Sequence, residues 1–223
     1  MRAALSDMNA IPRVESDYFV RMMLPAAEKQ ATSYVREEKR QILRLLGARK
    51  YLSHNFVVVG AGTLWYIDDV YDKVRKYIAI EPLAEIFIQK QVRFLIRQLP
   101  KIHVIGKEFG RFPKRELGAA NSLFIFHFNI LSYIEDPIKQ INKYLRAGDV
   151  LYLSTWADTE QAKRTRKAYF DVINIDHDGE GKIDPESGVG LCNLDDFDFS
   201  SLVAYKHHER RKGQIADILI IYA

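Results

Sequence analysis

The stretch from Phe56 to Pro82 constrains the chain most. Phe56-Val57-Val58-Val59 is a continuous apolar run rich in β-branched residues, the pattern of a strand buried on both faces. Gly60-Ala61-Gly62 follows it directly, and glycines there turn tightly and let backbone approach a ligand. Glu81 ends a second apolar run, Tyr77 to Ile80. A carboxylate about twenty residues after such a turn accepts the ribose hydroxyls of a nucleoside. The stretch therefore reads as a nucleoside-binding βαβ unit.

The flanking sequence extends this pattern. Residues 1–53 read as helical, a lid or cap ahead of the first strand, with one helix starting at Glu28 or Thr32, ending at Leu46 and capped by Gly47. Residues 54–223 read as one globular unit. Asp68 to Lys76 predicts a short helix, and Pro82 to Gln98 another. Lys101 to Gly106 predicts a third strand, the apolar run Ser122 to Leu131 a fourth, and Val150 to Thr155 a fifth. Helices are expected over Asp136 to Leu145 and Thr159 to Val172. Leu202 to Lys206 and Gln214 to Tyr222 read as an antiparallel pair, with the basic cluster Lys206 to Lys212 at the hairpin tip. The expected fold class is α/β: a Rossmann-like doubly wound sheet, mostly parallel, with an antiparallel C-terminal strand and an N-terminal helical lid. Ligands in such sheets lie over the carboxyl ends of the strands, at the switch in strand order. Candidate site residues are therefore Gly60 to Trp65, Glu81, Glu108-Phe109, His127 to Ser132 and Ser154 to Trp156.

This order resembles that of the class I S-adenosylmethionine (SAM) dependent methyltransferases over most of residues 36–222. Gly60-Ala61-Gly62 matches the family's first motif, and Glu81-Pro82 its ribose-binding acid and the residue after it. Glu108-Phe109 falls where the family holds adenine with a carboxylate and a backbone amide. Asp136-Pro137, a helix, then Arg146-Ala147-Gly148-Asp149 before a strand matches a further family pattern. A nicotinamide-binding domain fits less well, because Leu64 and Trp65 stand where its third glycine belongs. A narrower resemblance is to the histidine-specific methyltransferase domain, carried by Tyr34 ahead of Arg36-Glu37, by Gly148-Asp149, and by Ala168-Tyr169-Phe170-Asp171. Its imidazole-gripping Ile-Glu pair appears here as Ile215-Ala216, which argues against histidine as substrate.

The resemblance implies SAM as co-substrate and a small-molecule acceptor, an amine or amino acid metabolite receiving a methyl group on N or O. Tyr18, Tyr34, Gly60, Ala61, Gly62, Glu81, Pro82, Glu108, Phe109 and His127 are the expected SAM contacts. His127, Asn129, Ser132 and Tyr169 are the expected catalytic set, with His127 as base. Aromatic residues including Tyr18, Tyr34, Trp65, Tyr133 and Trp156 are placed to face a sulfonium. One departure opens a second chemistry. The family's acid for the methionine ammonium, two residues before the first glycine, is Val58 here. An amine without that partner is better suited to attack carbon. The alternative is therefore use of the aminocarboxypropyl arm, by transfer to an amine or by cyclisation of SAM alone to azetidine-2-carboxylate, as in synthases that resemble methyltransferases. A non-catalytic SAM-binding module is the remaining alternative.

Composition narrows the partners. The single cysteine, Cys192, rules out an internal disulfide and a cysteine-rich metal site. Asn174 to Gly179 imitates half a calcium loop, but Pro185 stands where the bidentate acid belongs, so no metal is expected. The net charge of +4 is spread among acids, so nucleic acid is not expected as a partner. The absence of a signal peptide pattern and of a long apolar run predicts a cytoplasmic protein with no membrane association. Oligomeric state is left open.

Overall fold

The computed structural model describes residues 25–47, 51–62, 64, 66–82, 90–128, 130–173 and 194–223. The chain opens with helix α1 (Pro25–Leu46) and strand β1 (Asn55–Val59). A one-turn helix α2 (Ile67–Val70) leads to β2 (Lys76–Ile80), then α3 (Lys90–Gln98) to β3 (Ile102–Ile105). Next come β4 (Ser122–Phe126), α4 (Pro137–Tyr144), β5 (Val150–Trp156) and α5 (Glu160–Ile173). Strands β6 (His207–Lys212) and β7 (Ala216–Tyr222) close the fold.

All seven strands form one sheet in the order β3-β2-β1-β4-β5-β7-β6. The first five are parallel, and β7 is antiparallel to both β5 and β6. The strand order therefore reverses between β1 and β4, the point at which sheets of this kind bind ligands over the carboxyl ends of their strands. Alternate residues feed two cores. Phe56, Val58, Tyr152 and Ile218 face a layer that includes Tyr34 and Ile42 of α1 and Tyr169 of α5. Val57, Val59, Leu151 and Leu219 face Ile141 and Tyr144 of α4.

Local rules account for the boundaries. Pro25 starts α1, and the Gly47 amide donates to the Leu43 carbonyl at its end. Asp136 caps α4 by accepting from the Lys139 amide at 3.3 Å, with Pro137 at the first helical position. Asp149 accepts from the Ser122 and Arg146 amides at 2.7 Å each, tying the start of β4 to the turn before β5. No helix among the described residues is long and apolar enough to cross a membrane.

Two sequence expectations are corrected. The apolar run Ser122 to Leu131 is not one strand: β4 stops at Phe126, and Ile130–Tyr133 is a 3₁₀ turn. The closing pair is shifted as well. Residues 202–206 are not a strand, and the basic cluster forms β6 instead of a hairpin tip. The tip is Gly213 to Ile215, where the Gly213 amide donates to the Ala216 carbonyl. As an edge strand, β6 bonds on one side only, so dense charge is compatible with it and guards it against pairing with other chains.

The expected lid is described only from Pro25 onward, and that part is anchored. The Glu37 carboxylate accepts from the Ile215 and Ala216 amides, Gln41 from Arg211, and Lys39 pairs with Asp69.

Candidate functional site

The glycine turn and Glu81 meet as their spacing implies. Gly60 takes a φ of +68° and Gly62 of +47°. A side chain on Gly60 would place its Cβ 2.6 Å from Ile130 Cδ1, so the turn requires glycine for both conformation and space. The Gly62 amide donates to the buried Glu81 carboxylate at 3.0 Å. Pro82, half-buried, follows it. Leu64, where a further glycine would sit, is buried with a φ of +69° and fills the core under the loop.

Past β3, the Glu108 carboxylate bonds to Arg111 at 2.8 Å on the surface. The Phe109 ring turns inward and packs edge-on against Phe126, 5.1 Å between centroids. Glu81 and Glu108 thus follow the ends of the neighbouring strands β2 and β3, at one side of the switch point.

His127 lies at the other side, just past β4, and is buried. Its Nε2 donates to the Gly60 carbonyl at 2.9 Å, which fixes that nitrogen as the protonated one. Burial pulls its pKa down to about 4, so the ring stays neutral near pH 7. Ser132 sits half-buried in the following 3₁₀ turn. Asn129, Tyr18 and Trp65 lie outside the described residues.

A buried polar network centres on Glu38 of α1, a residue the sequence reading passed over. Its side chain has no solvent exposure. One carboxylate oxygen accepts from the Phe128 amide at 2.9 Å, the other from the Tyr66 hydroxyl at 2.7 Å. The Ser154 hydroxyl of β5 lies beside it and shares a hydrogen bond with the Tyr34 hydroxyl at 2.6 Å. Burial outweighs these donors and pushes the Glu38 pKa up to about 7. Both Tyr66 and Phe128 take positive φ, +66° and +48°, so Glu38 stabilises strained backbone in the loops after β1 and β4.

Aromatic rings adjoin this carboxylate network. Tyr34 lies 4.5 Å from Trp156 and 5.0 Å from Phe128, and Tyr169 lies 5.2 Å from Phe128. The structure thus brings together Tyr34, Trp156 and Tyr169 from the predicted set. Tyr169 is buried among these rings. The signal that marks Glu38 is its place on the buried stripe of α1. Ala31, Tyr34, Ile42 and Leu45 share its helical spacing, and an acid on such a stripe needs a partner. Among the described residues, no cluster of three or more His, Cys, Asp or Glu could hold a metal ion.

No family model matches the sequence, and no curated protein matches it. Solved structures do match in fold. The CMeT domain of the citrinin polyketide synthase superposes with a TM-score of 0.57 at 13% identity, over 85% of this chain and 52% of that one. The chain thus spans about half the length of that protein. A Methanococcus maripaludis protein assigned as an S-adenosyl-L-methionine-dependent methyltransferase gives 0.55 at 12% identity, over 88% of each chain. The N-methyltransferase NodS of Bradyrhizobium japonicum WM9, in complex with S-adenosyl-L-homocysteine, gives 0.51 at 13% identity, over 83% of this chain and 85% of that one. The chain has the fold of the class I SAM-dependent methyltransferases.

Proposed function

We propose that this chain is a SAM-dependent transferase that methylates a small molecule, an amine or amino acid metabolite. The observation that carries the reading is the hydrogen bond from Gly62, after β1, to Glu81, after β2, beside the β1–β4 switch point. It joins a glycine turn to a buried acid, the combination that places a ribose at the end of β1. The residues fit SAM on that ground. Glu81 would hold the ribose hydroxyls, the Gly60 to Gly62 backbone would approach the sugar, and the segment at Glu108 and Phe109 would hold the adenine. SAM supplies a carbon group already activated by the sulfonium, so the protein's work is alignment and exclusion of water.

We assign His127 to holding the glycine turn, because its Nε2 proton is committed to the Gly60 carbonyl. Ser132, on the 3₁₀ turn after β4, and Asn129 remain the proposed contacts to the reacting groups. Tyr34, Trp156 and Tyr169 are proposed as aromatic walls at the same end, where cation–π contact with a sulfonium contributes roughly 0.5–2 kcal/mol.

Incubating the protein with SAM and a panel of small amines and amino acids, then identifying the nucleoside product by mass spectrometry, tests this reading. S-adenosylhomocysteine formed only with an acceptor supports methyl transfer. Methylthioadenosine formed from SAM alone would instead establish use of the aminocarboxypropyl arm. SAM binding with neither product would leave a non-catalytic binding module.

A further inference from the structure

We infer that Glu38 is the docking carboxylate for a ligand ammonium group over the carboxyl ends of β1 and β4. The inference rests on the SAM reading for the ligand but on Glu38's own surroundings for the site. Its hydrogen-bond donors, the Phe128 amide and the Tyr66 hydroxyl, and the adjacent Ser154 hydroxyl are all neutral. Among the described residues, no Lys or Arg forms a salt bridge with it. A fully buried carboxylate held only by neutral donors is costly, and a cation is what satisfies it. A carboxylate has about four acceptor sites, and these donors leave at least one lone pair unused. The adjoining rings of Tyr34, Phe128 and Trp156 suit a cation rather than an anion.

Position selects an amine of the bound ligands. Adenine at β3 and ribose at β2 direct the remainder of SAM across β1 toward β4 and β5. Glu38 joins the loops that follow β1 and β4 and reaches β5 through Ser154. β1 itself offers only Val58 there, fully buried in the core that also contains Tyr34, Phe128 and Trp156. An acid on α1 thus reaches the face where β1 lacks one. Two amines meet this description: the amine of the methionine arm and the amine of an acceptor.

The ionisable groups around Glu38 are Tyr34 and Glu37 on its own helix, Tyr66 on the loop and Tyr152 on β5. Burial holds the three tyrosines neutral far above pH 7. With its pKa raised to about 7, Glu38 is partly protonated in the free protein. An arriving ammonium expels that proton, about half a proton per ligand at pH 7.

Calorimetry in buffers of different ionisation enthalpy reads this release directly. The probes are S-adenosylhomocysteine, 5′-methylthioadenosine (which lacks the amine), and methylammonium added with and without S-adenosylhomocysteine. The proteins are wild type and Glu38→Gln. If the methionine arm is the source, S-adenosylhomocysteine releases protons from wild type only, and Glu38→Gln weakens it about tenfold to hundredfold. Methylthioadenosine then binds both proteins alike, which also shows that the variant is folded. If an acceptor amine is the source, only methylammonium releases protons, and only from wild type. No Glu38-dependent release with any probe overturns the inference. Failure of wild type to bind either nucleoside overturns the SAM reading, while the methylammonium arm still decides Glu38.

Discussion

Glu38→Gln should change how stability depends on pH in the ligand-free protein. Glu38 moves from an ordinary 4.5 to about 7 on folding because it is buried. Between those values the folded state binds more protons than the unfolded state, so stability falls as pH rises through that range. The neutral carboxyl's advantage is full below about pH 4.5 and lost above about pH 7. Two and a half pKa units at 1.36 kcal/mol each set its size at about 3 kcal/mol. Glutamine mimics the neutral carboxyl at every pH. The variant should therefore match wild type near pH 4.5 and exceed it by about 3 kcal/mol at pH 8. His127 has the opposite sign, because its pKa falls to about 4 and its contribution is lost as pH drops from 6.5 toward 4. Only the difference between the two proteins isolates Glu38. Urea unfolding of both at half-unit intervals from pH 4.5 to 8 gives that difference. Parallel curves would refute the claim that a buried carboxylate ionises here without a cation.

Other perturbations test other parts of the account. Gly60→Ala forces a φ of +68° on an L-residue and drives a Cβ into Ile130, so unfolding should become easier by about 2–4 kcal/mol, and Ile130→Val should recover part of that. Asp149→Ala leaves the Ser122 and Arg146 amides without an acceptor at the opposite end of the sheet. Denaturation should show a loss of about 2–4 kcal/mol with no change in nucleoside affinity. The His127 ring should stay neutral from pH 8 down to pH 5, visible as ring-proton NMR shifts that do not titrate over that range; a midpoint near 6.5 would contradict its burial.

The sheet was legible in the sequence because burial on both faces leaves unbroken apolar runs, as at Phe56 to Val59 and Tyr77 to Ile80. The meeting of the glycine turn with Glu81 was legible for a related reason: it depends on spacing along the chain. β6 was not, since an edge strand has no burial pattern and its charges look like a loop. Nor was the end of β4, where Ile130 and Leu131 continue the apolar run into a turn. Glu38 was missed because its partners Tyr66, Phe128 and Ser154 come from distant segments, and only folding assembles them. Its one local sign was an acid on the apolar stripe of α1.

The central claim is that the site over the carboxyl ends of β1 and β4 binds a SAM-type nucleoside through Glu81. Titration of S-adenosylhomocysteine into wild type and into Glu81→Ala, with unfolding measured in parallel to show both are folded, tests it most directly. The account predicts saturable one-to-one binding to wild type and at least about tenfold weaker binding to the variant, the loss expected for a charge-assisted hydrogen bond. Equal affinity for both proteins, or no binding to wild type, would contradict it.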